Sequence, residues 1–95
     1  MKEDAVSSRR VSIITVVRND PEGLRLTLAS VALHKGLRTE YLVIDGASTD
    51  DTLAVAETRR ALIDRLVSEP DQGIYDAMNK GLRLASGEYL LFLNA

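Results

Sequence analysis

The sequence predicts an α/β fold in which helices cover a parallel sheet. Apolar, β-branched runs alternate with stretches of helical periodicity, and the resulting order is β-α-β-α-β-α-β. The first run, residues 11–17, is interrupted only by Ser12 and Thr15, which is typical of a strand buried on both faces. Polar residues follow the runs, and ligands of open parallel sheets bind beyond these strand ends.

The first helix and the second strand have clear boundaries. Asp20 and Pro21 begin the helix, because aspartate accepts hydrogen bonds from first-turn amides and proline suits the first helical position. Gly36 ends this helix. A short apolar run, residues 41–44, predicts the second strand, which ends at Asp45.

The middle of the chain predicts a short helix and a weak strand. The helix runs from about Thr52 to Arg60, and either Ser48 or Asp50 is expected to cap it. Acidic residues favour a helix start, so capping is a better explanation of the acidic pair at residues 50–51 than a metal site. The third strand lies somewhere within residues 63–67.

The clearest helix covers residues 74–85, where apolar and small side chains recur along one stripe. Gly81 lies within this stripe and indicates close packing of the helix on the sheet. Lys80 lies off the stripe and is predicted to be solvated. A fourth strand, residues 88–93, is predicted to be buried.

The composition excludes several classes of protein. The 95 residues carry a net charge of −2, so a general nucleic-acid binder is not expected. The absence of cysteine excludes disulfides, thiolate metal sites and cysteine nucleophiles. The longest apolar run, residues 89–93, is much shorter than the roughly 20 residues of a membrane span. Residues 1–10 are polar and charged and predict a flexible lead-in.

Candidate binding residues lie at the predicted strand ends. Asp45 offers an acceptor for the ring N–H of a base, and either Asp71 or Glu69 offers one for ribose hydroxyls. Lys80 is a candidate phosphate contact. Each has a plainer explanation, because aspartates order turns and a helical lysine is usually solvated. No Gly-x-Gly-x-x-Gly, P-loop or Gly-x-Ser-x-Gly motif is present.

Four blocks of the chain resemble family-2 glycosyltransferases, in register over residues 11–95. The most specific block is SEPDQGIYDAMNKG, residues 68–81. Together with ASGEYLLFLNA it is similar to the branch that builds bacterial surface polysaccharides and glycolipids, including colanic-acid-type enzymes. The other two blocks are VSIITVVRN, residues 11–19, and LVIDGASTD, residues 42–50.

This resemblance implies the Rossmann-like, nucleotide-binding half of a GT-A fold. We expect a four-stranded parallel sheet in the order 3-2-1-4, with helices on both faces, because right-handed crossovers place the last helix opposite the other two. The resemblance places Val17, Asn19, Asp45 and Asp71 in the nucleoside pocket, and Lys80 is added as the candidate phosphate contact.

The activity implied by the resemblance is sugar transfer, with inversion, from a nucleotide-sugar donor, commonly UDP-linked, to a glycan or lipid-linked acceptor. The location implied is the cytoplasm, at the inner face of the membrane. A divalent metal, Mn or Mg, is expected in the parent protein, because it neutralises the departing diphosphate.

Two departures from the family pattern limit what this chain is expected to do. Gly46 stands where many relatives carry a second acid. The acidic metal-binding motif of the family would follow Asn94-Ala95, so we expect no metal ligand and no catalytic residue within residues 11–95. The chain alone is then expected to be inactive and to self-associate through an uncovered sheet edge. The alternatives are a non-catalytic, self-associating fragment and an unrelated α/β nucleotide-binding module.

Overall fold

The computed structural model describes residues 10–94, so the predicted lead-in lies outside the described residues except for Arg10. Four strands alternate with three helices, as the sequence predicts. Their bounds are β1 Val11–Val17, α1 Pro21–His34, β2 Thr39–Asp45, α2 Thr52–Thr58, β3 Arg65–Ser68, α3 Ile74–Leu84 and β4 Tyr89–Phe92. A short 3-10 turn, Arg60–Leu62, separates α2 from β3.

The sheet is parallel throughout, and its strand order is β3-β2-β1-β4. The predicted order 3-2-1-4 is therefore confirmed. In the register of the sheet, Val17 lies opposite Asp45, and Asp45 lies opposite Ser68. The carboxyl ends of β1, β2 and β3 thus align at one edge, which is where candidate ligand-binding residues were predicted.

The helices lie on both faces of the sheet. On one face, α1 and α2 pack against alternate residues of β1 and β2 around the buried side chains of Leu24, Leu28 and Val55. On the other face, Ala77 of α3 packs against Ile14 and neighbouring strand residues. Of the helices within residues 10–94, only α3 lies on this second face, as a right-handed crossover from β3 to β4 requires.

Gly81 confirms the close helix–sheet contact that the sequence predicts. A Cβ atom at this position would lie 2.6 Å from Cγ2 of Ile14, which is closer than real Cβ contacts. Ala77 of the predicted stripe is also buried, but Ile74 and Leu82 are 52% and 42% exposed. Lys80 is buried instead, so the prediction that it is solvated is wrong.

The fourth strand is shorter and more exposed than predicted. It pairs with β1 on one side, and in residues 10–94 no strand pairs with its other side. Tyr89, Leu90 and Leu91 are 57%, 46% and 47% exposed. The prediction of a buried strand is therefore wrong for the described residues, because an apolar sequence does not reveal whether anything packs over the side chains on the two faces of the strand.

No helix within residues 10–94 combines the length and apolar character needed to cross a membrane.

Candidate functional site

A pocket of about 280 Å³ opens between the carboxyl ends of β1 and β4 and the start of α3. From β1 the chain passes to β2 and β3 on one side of β1, and it then crosses to β4 on the other side. This switch point, between β1 and β4, is where ligands bind in doubly wound sheets. The lining combines apolar and polar side chains: Val16, Val17, Arg18, Asp20, Asp71, Gly73, Ile74, Ala77 and Asn94. Of the predicted site residues, the structure brings Val17 and Asp71 together here.

Asp71 lies in the loop between β3 and α3 and lines the pocket. Its Oδ1 accepts a hydrogen bond from the backbone N–H of Gly73 at 3.2 Å. Its Oδ2 lies against Gly46, and no group in residues 10–94 donates a hydrogen bond to that oxygen. Asp71, a residue of the pocket lining, therefore has one carboxylate oxygen with remaining acceptor capacity.

Asp45 is only 1% exposed and does not line the pocket. Its Oδ2 accepts hydrogen bonds from the Ser48 N–H at 2.9 Å and from the Ser68 hydroxyl at 2.8 Å. Its Oδ1 accepts from the Ser48 hydroxyl. These contacts show that Asp45 orders the turn after β2, while its predicted contact with a base stays a prediction.

Asn19 joins the loops that follow β1 and β2. Its backbone N–H donates to the Ser48 hydroxyl at 2.8 Å, and its Oδ1 accepts from the Thr49 N–H at 2.8 Å. The residue has φ of 50°, a left-handed conformation that asparagine tolerates better than most residues. Asn19 thus positions the two loops beside the pocket, and its contact with a nucleotide stays a prediction.

Lys80 fastens the loop that carries Asp71 to α3. Its Nζ donates to the carbonyl oxygen of Pro70 at 2.8 Å and forms an ion pair with Glu69 at 3.1 Å. Both of these partners belong to the loop between β3 and α3. They satisfy the buried ammonium group of Lys80 and tie the loop to the helix. Lys80 does not line the pocket, and its contact with a phosphate stays a prediction.

Two residues of this region were not among the predicted site residues: Arg18, which lines the pocket, and Ser68, which bonds to Asp45 outside the lining. Arg18 follows β1 directly in the sequence. That position beyond a strand end was the available indication that its side chain borders the crevice. Ser68 was missed because its contact with Asp45 depends on the register between β2 and β3. Once the strand order is known, that register places Ser68 beside Asp45.

The acidic pair at residues 50–51 serves the fold. Oδ1 of Asp50 accepts from the hydroxyl and the N–H of Thr52 at 2.6 and 3.0 Å, and these bonds lower the pKa of Asp50. The N-cap of α2 is Asp51, which makes no side-chain hydrogen bond to the helix, so the prediction of Ser48 or Asp50 as the cap is wrong; Asp50 instead accepts from the first N–H of α2. Within residues 10–94, no three His, Cys, Asp or Glu side chains come together as metal ligands. The described residues thus do not fit a divalent ion, and we assign it no ligand here.

The fold and the pocket define a doubly wound α/β domain with a ligand crevice at its switch point. The sequence matches the model of glycosyl transferase family 2 over residues 12–95, so the chain belongs to this family. An uncharacterized glycosyltransferase of Mycobacterium tuberculosis is 44% identical over 91 residues. A glycosyltransferase of Mycobacterium bovis BCG, named for PGL/p-HBAD biosynthesis, is 41% identical over 90 residues.

Those alignments cover 94% and 88% of this chain, and 34% of each relative. The chain therefore spans about a third of the length of the curated relatives it matches. The colanic-acid-type branch predicted from the sequence is not confirmed by these relatives.

Solved glycosyltransferase structures share the fold. Glucosyl-3-phosphoglycerate synthase of Mycobacterium tuberculosis, solved with Mn²⁺, UDP and glucosyl-3-phosphoglycerate, matches with a TM-score of 0.73 at 28% identity. A mannosyltransferase of Pyrobaculum calidifontis, solved with GDP-Man and Mn²⁺, matches with a TM-score of 0.73 at 30% identity. The matches cover 95% and 96% of this chain and 34% and 28% of those chains. The predicted GT-A, Rossmann-like fold is therefore confirmed.

The strained loop at Asn19 gives a first testable expectation. Asn19→Ala removes the acceptor for the Thr49 N–H and places alanine in a left-handed conformation, which costs about 1–2 kcal/mol. We expect it to lower the free energy of unfolding by about 2 kcal/mol, counting about 1 kcal/mol for the hydrogen bond. Asn19→Gly, the matched control, loses only the hydrogen bond. Equal urea midpoints for both variants would contradict a role for backbone conformation.

Proposed function

We propose that the protein transfers a sugar from a nucleotide-linked donor to an acceptor, and that residues 10–94 bind the nucleoside. The observation that supports this most is the pocket at the switch point of the sheet, lined by an aspartate with acceptor capacity. The chain belongs to a family of glycosyl transferases, and the fold is that of solved transferases.

The lining of the pocket suits a nucleoside. Val17, Ile74 and Ala77 provide apolar surface for the flat face of a base. Oδ2 of Asp71 accepts from a ring N–H or a ribose hydroxyl, and a hydrogen bond to a charged acceptor contributes about 1.5–3 kcal/mol. Arg18 brings a positive charge toward the diphosphate.

The other predicted site residues support this pocket from outside its lining. Asp45 and Asn19 fix the loops after β1 and β2 through Ser48, and Lys80 fixes the loop that carries Asp71. We propose that they hold the nucleoside-binding groups in place before the donor arrives, and preorganisation of this kind improves affinity. Direct contacts of Asn19, Asp45 or Lys80 with the donor remain part of the proposal.

We propose a UDP-linked donor and a glycan or lipid-linked acceptor. A structural neighbour with UDP and a relative named for PGL/p-HBAD biosynthesis support this choice, while a second neighbour with GDP-Man keeps GDP as the alternative nucleotide. Synthesis of bacterial surface polysaccharide or glycolipid, of the colanic-acid type, in the cytoplasm at the inner face of the membrane, belongs to the same proposal.

The whole enzyme is also proposed to use a divalent ion, as both neighbouring structures contain Mn²⁺. When bound, such an ion stabilises the negative charge on the departing diphosphate. The described residues contribute nucleoside binding and orientation of the donor, and they supply no base for the acceptor hydroxyl in this proposal.

Calorimetric titration of the chain with UDP, GDP and ADP, each with and without Mn²⁺, tests the proposed function. We expect UDP to bind with a Kd of about 1 mM or tighter, equivalent to about −4.1 kcal/mol, and to bind more tightly than ADP. Adding Mn²⁺ separates recognition of the nucleoside from metal-assisted binding of the diphosphate. Equal affinity for all three nucleotides, or no saturable binding, would contradict the proposal.

We further propose that the chain self-associates through the open edge of β4. This strand carries half-exposed apolar residues, and within the described chain it pairs with β1 alone. Light scattering at high micromolar concentration should give a mass above that of one chain. Leu90→Lys places a charge on the edge and should give the monomer mass, whereas the control Leu33→Lys, on α1, should not. A wild-type monomer would contradict this proposal.

A further inference from the structure

Gly46 lies at the junction between β2 and the pocket wall. It follows Asp45 directly, is buried, and donates its N–H to the carbonyl oxygen of Val17 at 2.9 Å. A Cβ atom at this position would lie 2.7 Å from Oδ2 of Asp71 and 3.3 Å from its Cγ. The carboxylate of Asp71 therefore occupies the space that a side chain at position 46 would take.

The carboxylate of Asp71 has few other restraints. One oxygen accepts from Gly73 at 3.2 Å, a long bond to a residue that is itself exposed. The other oxygen has no hydrogen-bond donor within the described residues and lies against the bare Cα of Gly46. The position of this carboxylate is thus set largely by the absence of a side chain at residue 46.

We propose that Gly46 is a positioning residue for donor binding, which acts by admitting the Asp71 carboxylate to the wall of the pocket. Any side chain at position 46 displaces that carboxylate from the place where it meets the nucleoside. This inference rests on the proposed function, because it assumes that Asp71 contacts the donor.

The backbone at this position does not itself require glycine. Gly73 is the glycine of the described chain with a positive φ, whereas Gly46 has an ordinary backbone conformation that alanine adopts without strain. The atoms in the way belong to the end of a flexible side chain. Gly46→Ala is therefore expected to fold and to move Asp71, which separates the positioning role from a general loss of structure.

A double-mutant cycle tests the inference through affinity for UDP, measured by calorimetry. We expect Gly46→Ala and Asp71→Ala each to weaken binding about tenfold or more, the loss of one charged hydrogen bond. The double variant should bind no more weakly than Asp71→Ala, because Gly46 acts only through Asp71. Gly36→Ala is the matched control, since a Cβ there meets nothing within 4 Å, and it should bind as the wild type does.

The amide NMR signal of Gly73 reports the position of Asp71 without any nucleotide. We expect Gly46→Ala to shift this signal as Asp71→Ala does, because both remove the hydrogen bond to Oδ1. An unmoved signal, wild-type affinity in Gly46→Ala, or effects that multiply in the double variant would overturn the inference. A wild-type chain that binds none of the nucleotides would instead contradict the proposed function, and this assignment with it.

Discussion

Asp45→Ala is expected to lower the free energy of unfolding by about 4 kcal/mol, because it leaves the two half-buried donors of Ser48, at about 1–3 kcal/mol each, and the more exposed Ser68 hydroxyl without their acceptor. The turn it supports contains Ala47 at φ 58°, a conformation that alanine adopts only when neighbouring contacts hold it. In a domain of this size, a loss of this kind lowers Tm by more than about 15 °C.

Two milder variants separate the contributions to this effect. Ser68→Ala removes one of the three hydrogen bonds and should cost about 1 kcal/mol, whereas Asp45→Asn keeps the size of the side chain and should cost about 2 kcal/mol. Calorimetric melting of all three variants checks the order. A Tm for Asp45→Ala close to the wild-type value would contradict the role of Asp45 in the turn.

The same Asp45→Asn variant measures the base contact that the family resemblance implies. A loss of UDP affinity of about tenfold or more, in a preparation that is fully folded, would support that contact. Wild-type affinity with a lowered Tm would assign Asp45 to the turn alone.

Asp71→Asn is expected to weaken UDP binding about 10- to 150-fold, because a charged acceptor contributes about 1.5–3 kcal/mol to a hydrogen bond. Its Tm should stay near the wild-type value, since the oxygen concerned has no donor within the described chain. In an active full-length transferase the loss should appear mainly in KM, because the nucleoside lies away from the bond that breaks.

Asp76→Asn is the matched control for this prediction. Asp76 lies in the first turn of α3, accepts from the Gln72 N–H at 2.9 Å, and does not line the pocket. We expect it to leave the affinity for UDP unchanged. Equal losses in both variants would indicate a general effect of charge near α3 and would contradict a specific contact by Asp71.

The sequence predicts the layout of the sheet well, because its signals are local or topological. The β-branched run of β1 and the Asp20-Pro21 helix start appear at the expected positions, and right-handed crossovers place α3 on the face opposite the other described helices. It does not predict the exposure of β4 or the burial of Lys80. Both depend on what packs against them, such as the loop carbonyl of Pro70 that binds the ammonium group.

The sequence predicts where the candidate site lies in the sheet, but it does not predict how the site's side chains are oriented. Asp45, at the end of β2, and Asp71, in the loop after β3, do lie at the same edge of the sheet, as their positions in the sequence indicate. The direction of each carboxylate depends on donors from other parts of the chain, above all Ser68, which is 23 residues from Asp45. Hydrogen bonds between residues that are far apart in the chain leave no periodic pattern in the sequence.

Chemical-shift mapping of the chain with UDP tests the central claim, nucleoside binding at the switch point, most directly. We expect saturable shifts of the amides of Arg18, Gly73 and Ala77 at the pocket. The amides of Ser86 and Gly87, which bond to β1 and β2 residues at the opposite edge, should not move. Shifts confined to that opposite edge, or none at a few times the 1 mM expected for Kd, would contradict the claim.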